Sequence, residues 1–75
     1  MKPESFVDQW DYDYFMRVLH HHEDHLKEGE ADLLSMLAGS WAVGNLPVKV
    51  EALRRGRRIA SRVAAAVRKN YEVKS

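Results

Sequence analysis

Hydrophobic residues recur at helical spacing along most of the chain and predict three helices. The first helix is predicted over about residues 5–27, with Ser5 as its cap and Gly29 as its stop. Asp8 and Asp11 interrupt the apolar arc, so a start nearer Asp11 is the alternative. The arc itself covers roughly 160° and is formed by Tyr12, Tyr14, Phe15, Val18, Leu19 and Leu26.

The second helix is predicted over about residues 30–43 and is apolar nearly all the way round. It carries no charge after Asp32, and Met36 and Val43 lie opposite its main face. A helix of this kind is expected to be buried on several sides. The main face consists of Leu33, Leu34, Leu37, Ala38 and Trp41.

The third helix, predicted over about residues 46–70, is the most amphipathic stretch. Pro47 fits its first turn, where amides lack helical partners. Gly56 lies within the apolar arc, which favours close packing against a neighbour, for which Trp41 and Trp10 are the candidates. The arc is formed by Ala52, Leu53, Gly56, Ile59, Ala60, Val63, Ala66 and Val67.

Together these segments predict one all-α domain over residues 1–75, a short helical hairpin plus a long amphipathic C-terminal helix. The long helix would extend about 36 Å, whereas a compact domain of this length has a radius of gyration near ~11 Å. The chain has no cysteine, so no disulfide can stabilise it. We therefore expect a homodimer or higher oligomer, with the second helix and the alanine-rich seam of the third helix at the interface.

The net charge of +1 conceals two oppositely charged halves. Residues 1–46 contain nine acidic and three basic residues, and residues 47–75 contain two acidic and nine basic residues. Guanidinium groups bind phosphates and carboxylates bidentately. Three interpretations stay open for the basic helix: a face that is solvated or paired with acidic residues, a face that docks on an acidic protein, and a nucleic-acid interface. Its candidate contact residues are Arg54, Arg55, Arg57, Arg58, Arg62 and Lys69.

Aromatic residues alternate with acids near the start of the chain. Trp10 and Tyr12 are candidate anchors for a partner, because aromatic side chains ringed by charge are common at interfaces. The same residues suit a small core or a self-interface equally well.

Four histidines lie near the end of the first predicted helix. His21 and His25 are four residues apart, a helical spacing that can chelate a metal ion, although the other predicted helices offer no further histidine or cysteine ligand. We predict no metal and no cofactor, and keep these two histidines as the candidates. His22 points to the centre of the apolar arc and is predicted to be buried and neutral.

No catalytic motif is present, and the longest charge-free run, residues 33–48, is too short and broken to span a bilayer. The N-terminal residues 1–4 lack the apolar core of a signal peptide, so a cytoplasmic protein is expected. We expect a non-enzymatic helical protein that regulates or inhibits a larger protein by docking on its surface. Nucleic-acid binding through the third helix is the alternative, and histidine-mediated metal binding is the second alternative.

Overall fold

The computed structural model describes residues 3–74, with side chains from Pro3 to Tyr71. The ends of the predicted domain, residues 1, 2 and 75, lie outside the described residues. The elements in chain order are β1 Glu4–Ser5, α1 Gln9–His21, a 3₁₀ turn Glu23–His25, α2 Glu30–Gly44, β2 Val48–Lys49 and α3 Val50–Lys74. The predicted all-α class, with a short hairpin and a long C-terminal helix, is confirmed.

Helix α1 is shorter than predicted at both ends. Asp8 rather than Ser5 is its cap, because the Asp8 carboxylate accepts the backbone N–H of Asp11 at 2.7 Å. Ser5 instead lies in β1, paired antiparallel with Val48 of β2. At the other end His22 leaves the helical region with φ −132°, and the 3₁₀ turn follows.

The boundaries of α2 and α3 also depend on backbone conformations that lie outside regular helices. Gly29, predicted to stop the first helix, instead begins α2 as its N-cap with φ 83°, a left-handed conformation that glycine adopts without strain. Asn45 ends α2 with φ 56°. Helix α3 begins at Val50 rather than at Pro47, because Val48 and Lys49 are extended in the pairing with β1.

The three helices form an up-down-up bundle. Asp11 contacts Arg57, and His22 lines the same depression as Arg68, so α1 and α3 run in the same direction. Glu30 at the start of α2 contacts Arg62, so α2 runs antiparallel to α3. The buried hydrophobic core consists of Val7, Phe15, Val18, Leu34, Leu37, Ala38, Leu53, Ile59, Ala60 and Val63.

The molecule is elongated along α3. Its principal extents are 47 × 22 × 21 Å and its radius of gyration is 13.0 Å, above the ~11 Å of a compact chain of this length. Twenty-five residues give α3 a length of about 37 Å. Its last turns extend beyond α1, and the side chain of Tyr71 is exposed there.

The predicted helix faces are confirmed where the helices pack on one another. Tyr12, Tyr14, Leu19 and Leu26 are half-buried against the core, around the buried Phe15 and Val18. The outer side of α2 is different, because Met36 and Val43 are exposed in the single chain. The expectation that α2 is buried on several sides is therefore wrong for the single chain, because its outer side is exposed.

Candidate interaction surface

A bidentate ion pair fixes α3 against α1. The Arg57 guanidinium donates two hydrogen bonds to the Asp11 carboxylate, from Nε to Oδ1 at 3.0 Å and from Nη2 to Oδ2 at 2.7 Å. The Asp11 side chain is only 1% exposed, whereas that of Arg57 is 47% exposed. Hydrogen bonding to Asp11 raises the pKa of Arg57 above its ordinary value. The Arg57 charge is therefore committed to a carboxylate of its own chain.

A second bidentate pair joins α3 to the start of α2. Arg62 donates from Nη1 to Glu30 Oε2 at 2.7 Å and from Nη2 to Glu30 Oε1 at 2.5 Å, and Nη2 also reaches the His25 carbonyl at 3.1 Å. Glu30 accepts the backbone N–H of Lys27 at 2.8 Å as well. These contacts hold Arg62 and the turn before α2 together.

The Glu30–Arg62 pair predicts loss of stability in acid. The hydrogen bonds from Arg62 lower the pKa of Glu30 from 4.5 to about 2. Because the folded pKa is below the unfolded one, the stabilisation is complete above pH 4.5 and is lost as the pH falls toward 2. We expect the Glu30→Gln variant to lose less stability over this range than the wild type, by on the order of 2 kcal/mol.

Thermal melts of both proteins at pH 6, 4 and 2.5, followed by circular dichroism, measure this difference. Asp32→Asn, which removes an exposed carboxylate of α2, is the control and should keep the wild-type pH dependence. Equal pH dependence of Glu30→Gln and the wild type would contradict the role of the pair.

Three other arginines of α3 remain on the surface. Arg54, Arg55 and Arg58 are exposed, and none of them pairs with a carboxylate among the side chains that the structure describes. Their spacing of three and four residues places Arg54 and Arg55 next to Arg58 on one side of the helix. We call these three residues the arginine face. Lys69 is also exposed, three turns further along α3.

A hollow of about 320 Å³ lies beside the arginine face. It is lined by Glu30, Arg55, Arg58, Ile59 and Arg62. Arg62 is held there by Glu30, while Arg55 and Arg58 reach solvent. The hollow can accommodate an anionic side chain between guanidinium groups, which match planar oxyanions bidentately.

The two candidate aromatic anchors lie on different sides of α1. Trp10 is 66% exposed and contacts Tyr14, with ring centroids 5.2 Å apart. Tyr12 is half-buried toward α2 and contacts Trp41, with centroids 6.2 Å apart. Trp10 is therefore accessible as an anchor, whereas most of Tyr12 is engaged in packing between helices.

The histidines do not have the helical arrangement that their spacing suggested. His21 is the last residue of α1 and His25 lies in the 3₁₀ turn, so the two are not on one continuous helix. Among the side chains that the structure describes, Pro3 to Tyr71, no group of three or more potential metal ligands is placed to hold an ion. His22 is half-buried rather than buried, because α1 ends before it and its side chain lies at the rim of the bundle.

Two residues that organise this surface were not among the predicted site residues. Pairing of the basic helix with acidic residues is one of the open interpretations of the sequence, but the pattern does not single out these two carboxylates. It indicates Asp11 only as a break in the apolar arc and an alternative helix start, and Glu30 only as the start of the second helix. Each proves to be a buried carboxylate that pairs with one arginine of α3 and neutralises its charge. The signal for Asp11 was its polar side chain at a core position, which requires a partner of opposite charge.

Comparison of the chain with protein-family models, with curated proteins and with solved structures found no match. Within the described part of the chain, no helix is both long and apolar enough to cross a membrane.

Proposed function

We propose that this protein is a non-enzymatic, cytoplasmic interaction protein that regulates or inhibits a larger protein by docking on its surface. The arginine face makes the contact, with an acidic surface of the partner opposite it. One observation carries the proposal: Arg54, Arg55 and Arg58 point to solvent without a carboxylate among the described side chains, while Arg57 and Arg62 are paired internally.

The two ion pairs support a docking role in a second way. They join α3 to α1 and to the start of α2, so the helix that carries the arginine face is connected to the rest of the bundle. A preorganised surface loses less conformational entropy on binding than a flexible one. Complementary charge also accelerates encounter with an acidic partner.

The internal pairs reduce the number of cations of α3 that could neutralise phosphates. Phosphate binding gains affinity with each cation that neutralises a phosphate. Two of the seven cations between residues 54 and 69 are already neutralised by Asp11 and Glu30. Nucleic-acid binding is therefore kept as an outcome of the test below rather than as a second proposal.

Self-association belongs to the same proposal. The outer side of α2 exposes Met36 and Val43, and Leu46 beyond its end is exposed too. Large exposed apolar side chains that lie near one another are typical of interfaces. The α2 surface supports the expected homo-oligomer, and it lies apart from the arginine face on α3. The alanine-rich seam of α3, expected at the same interface, instead packs within the chain, where Ala60 is buried in the core.

Charge reversal of the arginine face tests the proposal. Capture of protein partners from lysate of the source cells by the immobilised full chain should fall about tenfold or more for Arg55→Glu/Arg58→Glu. Both side chains are exposed, so the circular dichroism spectrum and melting temperature should change little. Arg62 is left unchanged, because its reversal would also disrupt the pair with Glu30.

A matched control reverses the same amount of charge elsewhere. Lys27→Glu/Lys49→Glu changes two exposed cations outside the arginine face and should keep wild-type capture. Capture that survives Arg55→Glu/Arg58→Glu would overturn the proposal. Capture that disappears after nuclease treatment of the lysate would assign the arginine face to nucleic acid instead.

A further inference from the structure

A groove runs between α1 and α3 on the side of the bundle next to the arginine face. It is made of two adjoining depressions of about 220 and 400 Å³, which share Tyr14 and Ala64. Along α3 the groove extends from Arg57 to Arg68, a distance of about 17 Å. Three turns of an α-helix have this length. We call it the α1–α3 groove.

The two ends of the groove differ in chemistry. At one end Trp10 forms an exposed aromatic wall next to Tyr14, and the floor there includes the buried Ala60. At the other end Arg17 and Arg68 are exposed, and neither pairs with a carboxylate among the described side chains. An occupant must therefore bring an apolar surface for the aromatic end and negative charge for the basic end.

A second copy of this chain does not supply that combination through the same groove. The described residues that line it include no aspartate or glutamate. A symmetric pairing of two grooves would leave Arg17 and Arg68 without opposite charges. Charge complementarity thus favours an acidic partner of different sequence.

We infer that the α1–α3 groove binds an amphipathic α-helix of the partner protein, with its apolar face against Trp10 and Tyr14 and its carboxylates near Arg17 and Arg68. This inference rests on the proposed function, since it assumes a protein partner. Helices commonly bind by laying an apolar face into such a groove, and exposed tryptophans anchor many interfaces. Ser61 of the groove lies one helical turn from Arg58, so the partner helix and the arginine face would share one contact area.

Binding of a defined peptide to the full chain tests the inference. The probe is a fluorescein-labelled 16-residue peptide with leucines on one helical face and glutamates on its flanks, followed by fluorescence anisotropy. We expect it to bind at least about tenfold more tightly than a scrambled peptide of equal composition or one with lysine for each glutamate. Equal binding of either comparison peptide would overturn the inference.

Variants locate the peptide on the protein. Trp10→Ala and Arg17→Glu/Arg68→Glu should each weaken peptide binding about tenfold. Phe6→Ala is the matched control for Trp10, because Phe6 is 55% exposed and lies outside the groove. Lys27→Glu/Lys49→Glu is the control for charge. If Trp10→Ala behaved like Phe6→Ala, the groove would not be the binding site.

Two further outcomes separate this inference from the proposed function. If the peptide fails to bind but lysate capture still depends on Arg55 and Arg58, the inference alone fails. If the peptide binds in a Trp10-dependent way but lysate capture is unchanged in Arg55→Glu/Arg58→Glu, the proposed function alone fails.

Sedimentation velocity tests whether a second copy of the chain occupies the groove. A dimer that Trp10→Ala converts to a monomer would assign the groove to a second copy and overturn the inference.

Discussion

Replacing Arg57 with alanine is expected to lower the free energy of unfolding by about 2–3 kcal/mol, less than for a fully buried ion pair, because the Arg57 side chain is half exposed. The substitution leaves the Asp11 carboxylate, only 1% exposed, without its guanidinium partner. Asp8 makes the site worse, because its carboxylate lies 3.9 Å from the Arg57 guanidinium and would then repel Asp11 uncompensated. For a domain of this size the melting temperature should fall by on the order of 10–20 °C, measured by circular dichroism at pH 7.

The neighbouring residue provides the matched control for this prediction. Arg58→Ala removes an exposed arginine of the same helix that pairs with no described carboxylate, so its cost should stay within about 0.5 kcal/mol. Asp11→Asn should cost much less than Arg57→Ala, because the remaining Arg57 side chain is 47% exposed and can be hydrated. If Arg57→Ala lowered the free energy of unfolding no more than Arg58→Ala does, the buried Asp11 carboxylate would not depend on its pair with Arg57.

The helix faces were predictable because burial is periodic along each helix. Leu34, Leu37 and Ala38 are buried in α2, and Leu53 and Val63 are buried in α3, as the apolar spacing indicated. Such a pattern depends only on which side of a helix meets the core. The buried face of a helix is therefore predicted correctly even when its ends are wrong by several residues.

The ends of α1 could not be predicted in the same way, because alternative local structures compete there and the apolar pattern does not distinguish them. Ser5 and Asp8 are both good caps, and the strand pairing of Ser5 with Val48 leaves the cap to Asp8. This pairing brings together residues more than forty positions apart. At the other end, Leu26 still packs against the core after the 3₁₀ turn, so the apolar pattern continued where α1 did not.

The candidate surface was only partly predictable for the same reason. That the basic residues share one side of α3 follows from their spacing. Which of these residues are neutralised depends on how α1 and α2 approach α3. Asp11 and Arg57 are 46 residues apart in the sequence, so their spacing along one helix does not indicate the contact. The six candidate cations of α3 therefore looked equivalent, although Arg57 and Arg62 have structural roles and Arg54, Arg55 and Arg58 do not.

Gly56→Val is expected to destabilise the fold by about 3 kcal/mol, although valine has the higher helix propensity. Gly56 is buried in α3 where the three helices meet. A Cβ atom at this position would lie 3.3 Å from Phe15 Cζ and in closer, forbidden contact with Leu37 Cδ1. Chemical denaturation at pH 7 measures the loss, and Gly56→Ala should show a smaller loss of the same sign.

Gly56→Ala is expected to lower the stability, whereas helix propensity alone would raise it. Alanine in a helix interior normally gains about 1 kcal/mol over glycine, so a loss requires that the core resist the added methyl group. Leu37 is fully buried, hence its side chain has little space into which to move away. Gly39→Ala is the control, because nothing lies within 4 Å of a Cβ atom there and the helical gain should appear. The predicted tight packing at Gly56 thus involves Leu37 and Phe15 rather than Trp41 or Trp10. A Gly56→Ala variant that is more stable than the wild type would contradict this tight packing.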